Sequence, residues 1–385
     1  MNDIKKKIGF VYFNSLAHIY HSAAIACEMS KNKNFEITML VSSEINLKRL
    51  KKLMGTYYPK HRCRFQFLYP SKWYHLKTIL TMSKKGLFPK ISKVVKNNLK
   101  LLMAFDVLVV ADFSLRHLME KDAQKKIKYI CTFHGAGDGS YGFSNKWKKF
   151  DFFLVSGKTS WNRLSAKHIV NTTNAKIVGY PKFDLAFHPK IEIKKLFDND
   201  NLTFLYNPHF KKKINSWNDW GNKILDFFHK NKQYNLIFAP HVMLFNKVKN
   251  PIGKKYYNAM NILIDYNSEA LMDMTYTINS DIYIGDVSSQ IYEFLYKPRP
   301  CVFLNPHSFS WKNDPSFRMW HLGDVVNEFV DFKAVIKNAV KNHGQYIKKQ
   351  VEFIESMFSQ SHVPASRRAA KAMVDFLEKS MSSDP

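Results

Sequence analysis

Three strand-like runs in this sequence end in a histidine, and a fourth ends in a carboxylate followed by two hydroxyls. The first is Phe133-His134-Gly135-Ala136-Gly137-Asp138-Gly139, where three glycines in five residues leave backbone N–H groups open to an anion. The second is Tyr206-Asn207-Pro208-His209, with Lys211, Lys212 and Lys213 close behind, and the third is Phe238-Ala239-Pro240-His241. The fourth is Gly285-Asp286-Val287-Ser288-Ser289, which opens onto "QIYEFLY" with Glu293 one turn along. Histidine can take a proton from a hydroxyl near neutral pH or, protonated, steady a phosphate. Ser288 and Ser289 suit the N-cap of the helix "SQIYEFLY", whose N–H groups and dipole attract phosphate. Glu293 is spaced to accept from a ribose, or else it is surface charge. Taken singly, each histidine reads as a polar strand cap and the serines as helix caps. Their repetition at strand ends points instead to one anion-handling site. No Walker, GxGxxG, HExxH, GxSxG or DxD pattern is convincing, so the expected phosphate chemistry uses histidines, lysines and helix ends, with no metal and no cofactor.

The elements that must carry these tips are α/β. "KKIGFVYFNSLAHIYHSAAIACEMSKNKNFEITMLVSS" reads as strand, loop, helix and strand, a unit that calls for a parallel sheet. "FDVLVVADFS", "KYICTFHG", "FDFFLVSGKTSWNRLSAK" and "AKIVGYPKFD" continue the series. "HPKIEIKKLFDNDN" has the Pro, charge run and DND turn of a linker. A second α/β series then runs through "LTFLYNPHF", "YNLIFAPHVML", "MTYTINS", "DIYIGDVSS" and "RPCVFLN", followed by amphipathic helix from about Val335. The expected architecture is two Rossmann-like domains facing across a cleft, 1–190 and 195–340, with a helical segment 341–385 packing back. In such sheets ligands bind beyond the carboxyl ends of the strands.

Composition narrows the partners. The chain has 385 residues, 45% hydrophobic and 15% aromatic, enough for two real cores. No apolar run approaches the roughly 18 residues that span a bilayer, and the basic N-terminus reads as a first strand, not a signal peptide. Four dispersed cysteines without a CxxC pair fit a reducing cytosol better than disulfides or zinc. The formal charge of +28 calls for anionic partners. Between Glu44 and Asp106 there are 15 Lys and Arg and no acidic residue. Within that stretch, "SKWYHLKTILTMSKKGLFPKISKVVKNNLKLLMAF" interleaves Trp73, Tyr74, Leu76, Ile91, Val94 and Val95 with lysines that include Lys77, Lys84 and Lys85. Such a pattern describes helices lying on an anionic membrane surface, or else a solvated helix whose apolar stripe packs on the core. No nucleic-acid module is recognisable, and nucleic acid is not expected as a partner.

The order of "HGAGDG", "VGYPKFD", "FLYNPHF", "FAPH" and above all "SDIYIGDVSSQIYEFLYKPRPCVFLN" resembles the CDP-glycerol glycerophosphotransferases that prime or extend teichoic acids and capsular polymers. The resemblance spans roughly residues 120 to 320. It implies a GT-B-like fold, a cytoplasmic enzyme peripheral on the inner membrane face, CDP-glycerol as nucleotide-activated donor, a lipid-linked or glycan acceptor, and release of CMP. It implies His134 as catalytic base, His241 as the partner for the pyrophosphate or the leaving CMP, Ser288 and Ser289 as pyrophosphate ligands, and Glu293 near the ribose. Asp286 would shape the turn, and Gly135 and His209 would line the donor site. His18, His21 and His209 are the next candidates for the base. Val242 stands where the family often has proline, and His209 where a small hydroxyl residue is common, so ribitol or a sugar remains open at the donor's far end. A GT-B glycosyltransferase acting on a nucleotide sugar is the alternative.

Overall fold

The computed structural model describes residues 5–71, 89–133, 135, 144–245 and 251–382. The chain divides into two compact units, Met1–Ile191 with Met357–Pro385, and Glu192–Ser356. In the first unit the strands are β1 (Lys6–Tyr12), β2 (Phe35–Val41), β3 (Arg64–Phe67), β4 (Val107–Val110), β5 (Lys128–Cys131), β6 (Phe152–Val155) and β7 (Ala175–Ile177). They pair in the order β3-β2-β1-β4-β5-β6-β7, and every pairing is parallel. In the second unit β8 (Thr203–Asn207), β9 (Asn235–Phe238), β10 (Ile262–Ile264), β11 (Ile282–Gly285), β12 (Cys301–Leu304) and β13 (Asp324–Val326) pair in the order β10-β9-β8-β11-β12-β13, again all parallel.

Strands covered on both faces need side chains that are apolar on both, and "VLVV", "FFLV" and "CVFL" are buried at every position. One core gathers Val11, Leu108, Val110, Phe153 and Val155 on the first sheet. The other gathers Phe204, Tyr206, Phe238, Ile284 and Val302 on the second. In both sheets the order of strands reverses direction beside the first strand, between β1 and β4 and between β8 and β11. These reversals open crevices at the carboxyl ends of the strands, where ligands bind in folds of this type.

The terminal helix Ala365–Ser382 belongs to the first unit. Asp184 caps it from the neighbouring helix Pro181–Ala186, accepting from Ala365 N at 3.1 Å and Ser366 N at 2.5 Å. Gly179 lies below that junction at φ 88, and a Cβ there would meet Arg368 and the carbonyl of Ser359. Residues 188–201, read as a linker, have no regular structure.

Several local expectations need correction. Within the second α/β series, "MTYTINS" supplies a helix, Thr275–Ile278. The helix "SQIYEFLY" stops early and covers only Gln290–Phe294. Pro298 has no N–H to give the Phe294 carbonyl, so the helix cannot continue, and the buried guanidinium of Arg299 takes that carbonyl instead, together with those of Thr277 at 2.9 Å and Ser280 at 2.7 Å. In the basic stretch, Val94 and Val95 are buried and Ile91 packs against the same core. That part of the apolar stripe therefore faces the protein and not a membrane, while Lys93, Lys96 and Lys100 are exposed. Trp73, Tyr74, Leu76, Lys77, Lys84 and Lys85 lie outside the described residues.

Candidate active site

The crevice of the second unit is built around two buried polar side chains. Asn207, the last residue of β8, sits opposite Gly285 at the end of β11. Its Nδ2 donates to Ala239 O beyond β9 at 2.5 Å, and its Oδ1 accepts from Ser288 Oγ at 2.6 Å. One side chain thus ties three strand ends together. Asp286 follows Gly285 and is also buried. Its carboxylate accepts from His209 N at 2.9 Å, Ser216 N at 2.7 Å and Ser216 Oγ at 3.0 Å. Ser216 Oγ in turn lies 3.0 Å from the Tyr206 hydroxyl, and Trp320 Nε1 donates to Asp286 O at 3.1 Å. Pro208 has no N–H, so the turn after β8 is held through the next residue's amide. Burial pushes the Asp286 carboxyl up to about 6 despite these donors.

This geometry revises the expected phosphate cradle. Asp286 and Ser288 are turned inward and saturated by the protein, so they position the loops and do not present themselves to a ligand. Ser289 is exposed, and it stands at the start of its short helix without a side-chain capping bond. Glu293 is half-buried on that helix.

The two histidines come together. The rings of His209 and His241 are 5.5 Å apart, and Phe210 lies 4.5 Å from the first and 4.6 Å from the second. The amide of Lys211 donates to His209 Nδ1, and that of Met243 to His241 Nδ1, both at 3.2 Å. A ring nitrogen that accepts carries no proton, so each neutral imidazole holds its hydrogen on Nε2. Burial pushes both down to about 4, and at His209 the neighbouring His241 and Lys211 add to it. At neutral pH the pair consists of two uncharged N–H donors, not of cations. Lys211, Lys212 and Lys213 are exposed beside them.

In the first unit His134 lies outside the described residues. Gly135 is exposed, and Phe133 before it is held at φ 54, an uncommon conformation for a bulky side chain. Both border a shallow pocket with Thr132, Ser156, Ser160 and Tyr180. Sequence reading missed Asn207 and Ser216, whose side chains hold the second crevice. Asn207 had a visible signal, since an asparagine closing a run of buried apolar residues needs partners for its amide.

A model of the family described as CDP-Glycerol:Poly(glycerophosphate) glycerophosphotransferase matches residues 44–375. No curated protein matches the chain. Among solved structures, a CDPG-soaked form of the wall teichoic acid polymerase TagF is similar with a TM-score of 0.61 at 16% identity, covering 98% of this chain and 90% of that one. UDP-GlcNAc 2-epimerase from Neisseria meningitidis, bound to UDP-GlcNAc, is similar with a TM-score of 0.61 at 13% identity, covering 97% and 100%. A UDP-N-acetylglucosamine 2-epimerase from Listeria monocytogenes, itself described as putative, gives 0.59 at 10%, covering 99% and 98%. At such identities these likenesses establish the fold, of GT-B type, and do not choose between donors.

Two outcomes test the site's construction. Asp286→Ala strands the amides of His209 and Ser216 without an acceptor, and an unmet buried donor costs about 1–3 kcal/mol. Urea unfolding should show a loss of roughly 2–5 kcal/mol; a loss below 1 kcal/mol would refute the bridging role. The second outcome concerns acid. Between about pH 6.5 and 4 the unfolded chain binds protons that His209 and His241 refuse when folded, so these two lower stability as pH falls through that window. Asp286 opposes them below about 6, because its folded carboxyl binds a proton before an unfolded one does. The double variant His209→Asn/His241→Asn should therefore lose less stability than the wild type between pH 7.5 and 5. Parallel losses would show that the histidines are not held neutral.

Proposed function

The chain belongs to the CDP-glycerol:poly(glycerophosphate) glycerophosphotransferase family, and on that premise we propose that it moves glycerol phosphate from CDP-glycerol to a lipid-linked or glycan acceptor. CMP is released, and the product is a teichoic acid or a related capsular polymer. The observation that carries the donor half of this reading is the neutral histidine pair at the carboxyl end of the second sheet. A diphosphate needs donors fixed in place before charge shifts onto the leaving phosphate. His209 and His241 offer Nε2–H groups anchored through Nδ1, Ser289 offers an exposed hydroxyl, and Lys211, Lys212 and Lys213 offer counter-charge. Glu293 is assigned to the ribose. The reading calls for no metal.

Incubation with CDP-glycerol, CDP-ribitol and UDP-sugars tests this directly. CMP released from CDP-glycerol in the presence of a lipid-tailed glycerol phosphate oligomer is the expected result; release of UDP from a nucleotide sugar would replace the reading with a glycosyltransferase. His241→Ala and Ser289→Ala should weaken donor binding and lower turnover, for His241 by on the order of 10²-fold.

The acceptor's lipid places the enzyme, in this reading, at the inner face of the cell membrane as a peripheral protein. Among the described residues no helix is long and apolar enough to cross a membrane. The excess of Lys and Arg, with Lys93, Lys96 and Lys100 exposed next to residues 72–88, supports attraction to anionic lipid. Sedimentation with phosphatidylglycerol vesicles should weaken with salt and weaken further in Trp73→Ala/Leu76→Ala. Sedimentation unaltered by the double substitution would return those side chains to the core.

A further inference from the structure

The four cysteines are dispersed along the chain, and all are free and buried. The fold of the first unit brings two of them together. Cys27 lies in the last turn of the helix Ala17–Met29, and Cys63 immediately precedes β3. The segment that enters β3 is clasped to the end of that helix. Ser30 donates through Oγ to Cys27 O at 2.8 Å, and the same oxygen accepts from Arg62 N at 3.1 Å. Arg62 Nε donates to Ser30 O at 2.9 Å. Cys63 Sγ itself donates to Ala26 O at 3.4 Å, across 37 residues of sequence. Its sulfur accepts in turn from the Cys27 thiol. That bond pushes Cys27 up and, against burial, holds Cys63 below the ordinary thiol value. The thiolate of Cys63, the nucleophilic form, is therefore populated closer to neutral pH. Cys27 is 1% exposed and Cys63 is 9% exposed, between the exposed Arg62 and Arg64. Cys131 and Cys301 lie in strands of different sheets, and burial pushes both of their thiols up.

We propose that Cys27 and Cys63 are a redox pair, a dithiol that a hydroperoxide converts into a disulfide stapling the end of the helix Ala17–Met29 to the edge of the first sheet. The sulfur of Cys63, nearer the surface, attacks a peroxide oxygen. The O–O bond breaks, hydroxide leaves with the thiol proton as water, and Cys63 becomes a sulfenic acid. The Cys27 sulfur then attacks that of Cys63. The S–S bond forms as the S–O bond breaks, and the departing hydroxide takes the Cys27 proton as a second water. The two thiols together lose two electrons and two protons, and one hydrogen peroxide becomes two water molecules. A thiol reductant such as dithiothreitol returns both. The staple has a consequence because β3 is the last strand of its sheet, hydrogen-bonded to β2 alone among the described strands. A strand with one neighbour opens at lower cost than the interior of a sheet. The disulfide encloses β2 and the helix Glu44–Tyr57 in a covalent loop and raises the cost of that opening.

The experiment treats the full chain, first reduced, with a slight excess of hydrogen peroxide. It reads free thiols after denaturation, a peptide map made without reductant, and the melting temperature. The four thiols should fall to two, with one linked pair of peptides that carries Cys27 and Cys63. The melting temperature should rise by roughly 5 °C or more, and dithiothreitol should restore both values. Cys27→Ser should stop at the sulfenic acid on Cys63, which dimedone traps, and Cys63→Ser should keep its remaining thiols. Four thiols surviving peroxide, or a peptide map that joins any other pair or two chains, would overturn the pairing. So would thiol loss in Cys63→Ser at the wild-type rate. A Cys27–Cys63 link formed without a rise in melting temperature would overturn the staple.

Discussion

A carboxylate cannot be taken out of water unless donors replace the water, and the second unit is arranged around that demand at Asp286. Its donors come from the amide of His209 and from the amide and hydroxyl of Ser216, so one buried charge closes the whole loop after β8. Asn207 does the same with uncharged groups, reaching Ala239 on one side and Ser288 on the other. The positions of His209, His241 and Ser289 are consequences of these two side chains. The histidines owe their tautomer to the same loops, because the amides that fix Nδ1 belong to the turns that Asn207 and Asp286 hold.

The distribution of charge follows a related logic. A chain with a formal charge of +28 keeps uncharged donors at its candidate phosphate site and leaves lysines at the edge. Burial explains the choice, since an imidazolium at His209 or His241 would have to be stripped of solvent and set against a second one 5.5 Å away. Neutral N–H groups cost far less to bury and need no reorientation as phosphate charge moves.

What could be read from the sequence was what periodicity and strand-end chemistry encode. Fully apolar runs such as "VLVV" and "FFLV" announced a parallel α/β architecture, and the proline-histidine tips did lie at strand ends. Inward or outward orientation was not legible. Asp286 and Ser288 looked like ligands because their types suit phosphate, and only the three-dimensional position of Ser216, 70 residues away, shows the carboxylate to be fully engaged within the fold. The helix after Ser289 was overextended although Pro298, which cannot donate to the Phe294 carbonyl, was visible in the sequence; that Arg299 takes this carbonyl in its place was not.

The chain leaves the first unit at Ile191 and returns to it at Met357. A ribosome adding roughly 5–20 residues per second must therefore make the whole of Glu192–Ser356 before the terminal helix can reach the cap that Asp184 offers. For some ten to thirty seconds at that pace the nascent first sheet exists without one of its covering helices, with the apolar face of Ala17–Met29 bare. The second unit, by contrast, is contiguous and complete as soon as it emerges. The order of synthesis thus makes the second unit the first to be finished, and leaves the first unit on its partial core until the helix Ala365–Ser382 arrives.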